Sequence, residues 1–328
     1  MKAIQIGLGS IGRAVTRLLL QKPDWHIVAA IDTDPALQNR DLGDVIGLGS
    51  SLGIPVMEKV PALQTGDVDV AFLTTVSTFR DVLPTLEALI QAGIDVVAST
   101  EELFYPYYRH AQEAQVLDDL AKRHGVSVLG TGINPGFVMD TLVLVLTGVC
   151  QQVTRIAVTR VVNASGRRAS LQKKIGIGLT PEAFAEQAVE RRVGLVGPVE
   201  SLAFLAHVLR WHMDGFKERL VPVVADKELL TTQCSVEKGQ VCGVRHLVKG
   251  MSYGKEVLSL DLRVYLEAEN TRDTIYIEGT PTLESTMKSS DLEDVAAAGL
   301  LVNMSPLVHQ ARPGLLTMVD LPLPHFQR

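Results

Sequence analysis

The chain opens on a short segment, residues 2–6, with Ala3, Ile4 and Ile6 apolar, that runs directly into Gly7. Beyond it, Ile11, Val15, Leu18 and Leu19 fall at intervals of three and four until Pro23. The first segment predicts a strand, and the three-to-four spacing predicts a helix with one apolar face. A second strand is predicted over 26–31, ending in Asp32. The alternation continues with a strand over 68–74, a helix over 82–92, a strand over 95–98, a helix over 107–123 and a strand over 126–129. Such alternation builds a parallel sheet covered by helices on both sides. The turn-forming stretch 130–136 marks the domain boundary, with residues 1–133 as the first domain.

The pattern then changes period. Strands are predicted over 153–162 and 257–267, and in the latter Leu258, Leu260, Leu262, Val264 and Leu266 alternate with polar positions. That period of two marks a sheet with one face buried. A strand over 274–278 is expected to pair with it, and helices over 181–191 and 200–211 to cover it. Residues 134–291 thus read as a substrate-binding and dimerisation domain. A helix near 292–302 and the tail to 328 are expected to return to the first domain. The fold class is α/β: an N-terminal Rossmann doubly wound parallel sheet plus an α+β C-terminal domain with a mainly antiparallel sheet.

Composition narrows the chemistry. Hydrophobic residues make up 46% and charged residues 21%, which places the chain among folded globular proteins. A net charge of −6 gives no general electrostatic grip on nucleic acid or an anionic membrane, so neither is expected as a partner. Three cysteines in 328 residues make no disulfide framework. The opening lacks the layout of a signal peptide, and the expected location is cytoplasmic. His207, His212 and His246 form no metal-ligand spacing, nor do Cys234 and Cys242, so no metal is expected.

The richest motif is Gly7-Leu8-Gly9-Ser10-Ile11-Gly12, set between a strand and a helix, with Asp32 20 positions beyond its last glycine. Gly7 permits a tight turn, Gly9 lets the backbone approach a pyrophosphate, and Gly12 lets helix and strand pack closely. The helix N-terminus, at Ser10 and Ile11, offers free N–H groups to the phosphates. Asp32 can accept from ribose hydroxyls and repels a 2′-phosphate, favouring NAD, while Arg40 just beyond can offset that repulsion. The expected cofactor is therefore NAD or NADP. Thr74, Thr75 and Val76 form a turn at a strand's carboxyl end, where ligands of open parallel sheets collect. Asn134 and Pro135 either bracket the cofactor or cap the following helix.

Glu101 and Glu102 stand at the end of the next strand, where the nicotinamide is expected. A carboxylate there can hold an ammonium or iminium nitrogen and shuttle its protons. It can equally be a solvated residue at a helix start. Asn163, Arg167, Arg168, Gln172 and Lys173 follow a strand and either bind a substrate carboxylate or form a solvated loop. Arg160 is a further candidate for the carboxylate.

Taken together, GLGSIG, Ile31-Asp32-Thr33-Asp34-Pro35, STEEL at 99–103 and GTGINPGFVMD at 130–140 resemble the 2,4-diaminopentanoate dehydrogenases and the related native amine dehydrogenases. These belong to a wider group with a dihydrodipicolinate reductase-like N-terminal domain. The similarity runs on through 171–176, 194–197 with Glu200-Ser201, and 313–318, so it spans nearly the whole chain. It implies NAD(P)-dependent oxidative deamination of a primary amine or diamino acid, and the reverse reductive amination of a ketone with ammonia. It also implies that Glu101 or Glu102 contacts the substrate nitrogen, with Glu102 favoured, and a homodimer is expected. Phe137, in the GTGINPGF segment, joins Asn163, Arg167, Arg168 and Gln172 as a substrate-side candidate. The His-His-Lys pattern of true dihydrodipicolinate reductases and the Glu-Lys-Pro signature of sugar oxidoreductases are both missing. An imine or carbonyl reductase that uses no free ammonia, and a non-catalytic dinucleotide-binding protein, are the alternatives.

Overall fold

The computed structural model describes residues 1–61, 66–231, 234–288 and 293–327. They divide into two compact units, Met1–Phe137 with Leu292–Arg328, and Val138–Asp291. The changeover at 137/138 falls a few residues past the expected boundary.

In the first unit the order is β1 (Lys2–Ile6), α1 (Ser10–Leu19), β2 (His26–Ile31), α2 (Leu42–Ile46), β3 (Val56–Met57), β4 (Val70–Leu73), α3 (Phe79–Gln91), β5 (Asp95–Ala98), α4 (Ala111–His124) and β6 (Ser127–Gly130). All neighbouring strands are parallel, in the order β6-β5-β4-β1-β2-β3. Every residue of β4, β5 and β6 is buried, as strands covered on both faces require. Phe79, Val82, Leu86, Leu89 and Ile90 of α3 bury one helical face in the core. Each such side chain contributes about 2 kcal/mol through burial.

The expected helix over 107–123 starts late. Tyr105 (φ −147°) and His110 (φ −132°) leave the helical region, so the chain makes two 3-10 turns, Glu101–Phe104 and Pro106–Tyr108, before α4. The first turn carries both glutamates.

The second unit contains α5 (Thr141–Thr147), β7 (Gln152–Asn163), α6 (Ala169–Lys174), α7 (Pro181–Val189), α8 (Pro198–Val208), β8 (Gly215–Val224), the short pair β9 (Leu229–Leu230) and β10 (Ser235–Val236), β11 (Val241–Ser252), β12 (Lys255–Tyr265), β13 (Arg272–Thr280) and β14 (Leu283–Lys288). Its large sheet runs β14-β13-β7-β12-β11-β8. The 274–278 segment was expected to pair with β12. Instead β13 pairs antiparallel with β7 and β14, and β7 lies parallel to β12 between them. Alternation fixes which face of a strand is buried and carries no information about which strand becomes its neighbour.

The chain then returns to the first unit with α9 (Glu293–His309) and β15 (Gly314–Leu316); residue 292, where that helix was expected to begin, lies outside the described residues. β15 extends the first sheet as a seventh strand, parallel to β6. Leu315 N–H donates to Asp118 Oδ1 (2.9 Å), and Tyr107 OH donates to Leu315 O (3.2 Å). At the end of α9, His309 Nδ1 lies 2.8 Å from Asp95 Oδ2, while Ser127 N–H donates to Asp95 Oδ1 at 2.7 Å. Burial pushes the Asp95 carboxyl above its ordinary range. Among the described residues, no helix is long and apolar enough to cross a membrane.

Candidate active site

The carboxyl ends of the first sheet gather the nucleotide-binding candidates. Gly7 has φ +88°, a conformation few other residues adopt, and a Cβ there would lie 2.5 Å from Thr74 O. A Cβ on Gly12 would lie 1.9 Å from Gly7 O, so α1 meets β1 at a distance only glycine permits. Gly9 is the opposite case: exposed, with nothing within 4 Å of where its Cβ would be. Gly9 is also the N-cap of α1 and supplies no side-chain cap. The loop is therefore tight where it packs and open where the helix presents its N–H groups, which is the shape a pyrophosphate requires.

Asp32 ends β2 with both oxygens engaged. Leu8 N–H donates to Oδ2 (2.6 Å) and Asp34 N–H to Oδ1 (2.9 Å). Bonds to two backbone amides hold the carboxylate in place beside the glycine loop. Arg40, in the following loop, is exposed.

The Thr74 turn is tied to the glycine loop by a residue that sequence reasoning passed over. Gln5 is fully buried in β1, and its amide donates to Gly7 O (2.8 Å) and Thr74 Oγ1 (2.9 Å). Thr74 Oγ1 in turn donates to Gly7 O (2.9 Å). A polar residue inside an otherwise apolar strand was the available signal, because a buried amide must find partners. Thr75 and Val76 are exposed at this edge.

Next along the edge stands the turn bearing the two glutamates. Glu102 N–H donates to Ser77 O (3.1 Å), and Glu102 Oε2 accepts from Phe79 N–H (2.7 Å). His110 Nε2 lies 3.4 Å from the same oxygen. Oε1 carries no hydrogen bond among the described residues, and the side chain is 19% exposed. Glu101 is half-buried at the start of the turn. Gly130 makes the arrangement possible, since a Cβ there would lie 2.4 Å from Leu103 C.

The 130–136 loop folds on itself: a Cβ on Gly136 would lie 2.2 Å from Gly132 N. Asn134 and Pro135 are joined by a cis peptide bond. Asn134 does not cap α5, a task done by Asp140, whose side chain accepts from Thr141 N–H. Instead Asn134 Oδ1 is buried with no hydrogen-bond partner among the described residues, and Thr100 Oγ1 shares that condition. Orphaned polar atoms at the same carboxyl edge of the sheet as the open glycine loop fit a site completed by a polar ligand. Gly9, Ser10 and Ile11 would hold the pyrophosphate, Asp32 the adenosine ribose, and Asn134 the nicotinamide end.

The candidates of the second unit cluster by themselves. Asn163 ends β7 and its Oδ1 accepts from Ser165 N–H (2.9 Å). Gln172 is buried in α6, donates to Ala164 O (2.9 Å) and accepts from Cys234 Sγ (3.4 Å). Its amide thus serves to join α6 to the end of β7. Arg167 is half-buried, Arg168 is exposed, and Lys173 opens onto a surface pocket with Ser170, Lys174, Gln187 and Arg192. Arg160 is buried 3.3 Å from Asp273, which answers its charge. His246 is also buried: Leu195 N–H donates to its Nδ1 (3.2 Å), so Nε2 bears the proton that reaches Glu218 Oε1 (2.9 Å). Phe137 is half-buried at the end of the first unit.

Comparison with known proteins places both halves. Residues 137–327 match the family model of the 2,4-diaminopentanoate dehydrogenase C-terminal domain, and residues 1–128 match that of the dihydrodipicolinate reductase N-terminus. A 2,4-diaminopentanoate dehydrogenase of Acetoanaerobium sticklandii is 31% identical, over 99% of this chain and 94% of its own length. An amine dehydrogenase of Streptomyces virginiae is 22% identical, over 97% of this chain and 95% of its own. Among solved structures, an amine dehydrogenase from Mycobacterium smegmatis shares the fold, with a TM-score of 0.87 at 23% identity across 100% of this chain and 97% of its own.

Proposed function

The chain belongs to the 2,4-diaminopentanoate dehydrogenase family, and from that membership we propose that it interconverts a primary amine and its ketone, with Glu102 meeting the reacting nitrogen. It is an NAD(P)-dependent amine oxidoreductase. The observation that carries the role of Glu102 is its divided carboxylate. Oε2 is held by Phe79 N–H at 2.7 Å, while Oε1 has no hydrogen-bond partner among the described residues. A carboxylate fixed at one oxygen and open at the other can present a charge and exchange a proton without reorienting.

In the oxidative direction Glu102 takes a proton from the substrate ammonium, freeing the nitrogen lone pair, and passes that proton to solvent at its partly exposed side chain, which restores the carboxylate. Its negative charge then stabilises the iminium formed at carbon, and a carboxylate held in advance makes this effective. Glu102 next draws a proton from the water that adds to the iminium and returns it to the departing ammonia. A bound nicotinamide would supply the hydride acceptor for the substrate carbon in this direction and the hydride donor in the reverse. The balance is amine plus oxidised cofactor plus water giving ketone, ammonia, reduced cofactor and one proton. In reverse, ammonia is a substrate.

Asp32, held by two backbone amides, supports a preference for NAD over NADP. We also assign the polar face of the second unit's large sheet to a homodimer contact and the enzyme to the cytoplasm. That face carries Asp261 between Arg245 and Arg263, charges already answered within the chain and so cheaper to cover. Size-exclusion chromatography with light scattering checks the dimer.

The deciding experiment follows oxidation of NADH and NADPH at 340 nm against ketones and 4-oxo acids, with and without ammonium. Oxidation that requires ammonium is the expected result. Equal oxidation without it would mark an imine or carbonyl reductase, and no oxidation of any substrate would leave only dinucleotide binding.

A further inference from the structure

We propose that His110 is a positioning residue that fixes the Glu102 carboxylate for its nitrogen; this rests on the reading of Glu102 given above. His110 is largely buried, and its Nε2 lies 3.4 Å from Glu102 Oε2, the oxygen that also accepts from Phe79 N–H. The ring stacks on the Phe79 ring with centroids 5.2 Å apart and planes at 19°. Nδ1 is buried with no hydrogen-bond partner among the described residues. A carboxylate oxygen only accepts, so a hydrogen bond across this gap requires the imidazole proton on Nε2, toward Glu102.

Among the described residues the His110 ring donates to no other side chain, and its remaining electrostatic neighbour is Glu113, whose carboxyl pKa it helps to lower. His110 precedes α4, yet its side chain does not cap that helix. Its backbone N–H is satisfied by Pro106 O (2.8 Å). A phenylalanine would fill the stack on Phe79 and would avoid leaving Nδ1 buried and unpaired, which costs stability. The edge that touches Glu102 is therefore what an imidazole adds here. Two groups on Oε2, one from the backbone of α3 and one from His110, restrict the carboxylate to one orientation and leave Oε1 as the reacting atom. Contacts of this kind, one step removed from the chemistry, commonly govern activity by ten-fold or more.

The test measures ammonium-dependent NADH oxidation in His110→Phe and His110→Gln, each alone and combined with Glu102→Gln, together with the dissociation constant of NADH. His110→Phe keeps the stack and removes the donor; kcat should fall about ten-fold, with NADH affinity within about two-fold. His110→Gln, which returns an N–H to that position, should recover most of the loss. Combined with Glu102→Gln, His110→Phe should lower kcat no further, because two residues acting through one carboxylate are not additive. A His110→Phe enzyme with normal kcat, or effects that multiply in the double variant, would overturn the role of His110 alone. Normal turnover in Glu102→Gln would instead overturn the assignment of Glu102 and this inference with it. Should His110→Phe not fold, His110→Gln and its double variant decide: a kcat loss in His110→Gln that persists unchanged in the Glu102→Gln background overturns the proposal.

Discussion

Phe79 and Glu102 lie 23 positions apart, and the first backbone N–H of α3 donates to the Glu102 carboxylate at 2.7 Å. The helix draws no side-chain cap from its own N-cap residue, Thr78, so a glutamate from the neighbouring strand end supplies one. One side chain thus serves both the fold and, in the reading above, the chemistry.

Glutamine at 102 separates the two tasks. Glu102→Gln retains an oxygen for Phe79 N–H and loses the charge and the proton exchange, so kcat should fall by about 10²-fold or more while NADH affinity holds. Glu102→Ala should in addition lower stability by about 1 kcal/mol, the usual cost of a lost helix cap. Glu101→Gln should keep most of its turnover. Steady-state kinetics and thermal denaturation on the three variants check this, and a larger loss in Glu101→Gln would exchange the two roles.

The glycine loop makes an asymmetric prediction. Gly9 has φ −66° and open space at its Cβ position, so Gly9→Ala should fold with an unchanged melting temperature. Its methyl would instead occupy the approach to the phosphates and weaken NADH binding by about ten-fold. Gly12→Ala forces a methyl to within 1.9 Å of Gly7 O and should destabilise the first unit by about 3 kcal/mol. Calorimetric melting alongside NADH titration distinguishes binding from folding at each site.

Cofactor choice should turn on Asp32. Asp32→Ser removes the charge that repels a 2′-phosphate, and the ratio of kcat/KM for NADPH to that for NADH should rise by about ten-fold or more. The lost acceptors for Leu8 and Asp34 N–H should cost about 1 kcal/mol of stability, seen in a lower melting temperature. An unchanged ratio would place the discrimination elsewhere, with Arg40 the next position to change.

Acid sensitivity should trace in part to Asp41, the N-cap of α2. Its carboxylate accepts from Gly43, Leu52 and Gly53 N–H, each at 2.8 Å, and these bonds bring its pKa down to about 2. A carboxyl whose pKa is depressed on folding contributes stability above its unfolded value near 3.8, and that contribution fades as pH falls toward about 2. The melting temperature of Asp41→Asn should therefore lie below that of the parent at pH 7, and the gap should narrow between pH 4 and pH 2. A gap that stays constant with pH would assign the effect to geometry instead of charge.

The local order of the chain determined the first unit almost by itself. Short apolar strands, helical spacing and the run from Gly7 to Gly12 with Asp32 depend on neighbours in sequence, and each position constrains the next through backbone geometry. The motif also named its own tight points, for Gly7 and Gly12 are glycines because no Cβ fits there. The tertiary structure decided what local pattern cannot encode. β7 entered between β12 and β13 because alternation specifies a buried face and leaves the neighbouring strand open. Gln172 and Arg160 spend their polar groups inside the second unit, on Ala164, Cys234 and Asp273. Phe79 and His110 came into view only through contacts with Glu102, 23 and 8 positions away, and the partners of Gln5, though its polarity was a signal, were visible only in the fold. That Glu102 meets Phe79 N–H depended on where the start of α3 meets the end of β5, and that meeting follows from the packing of the sheet.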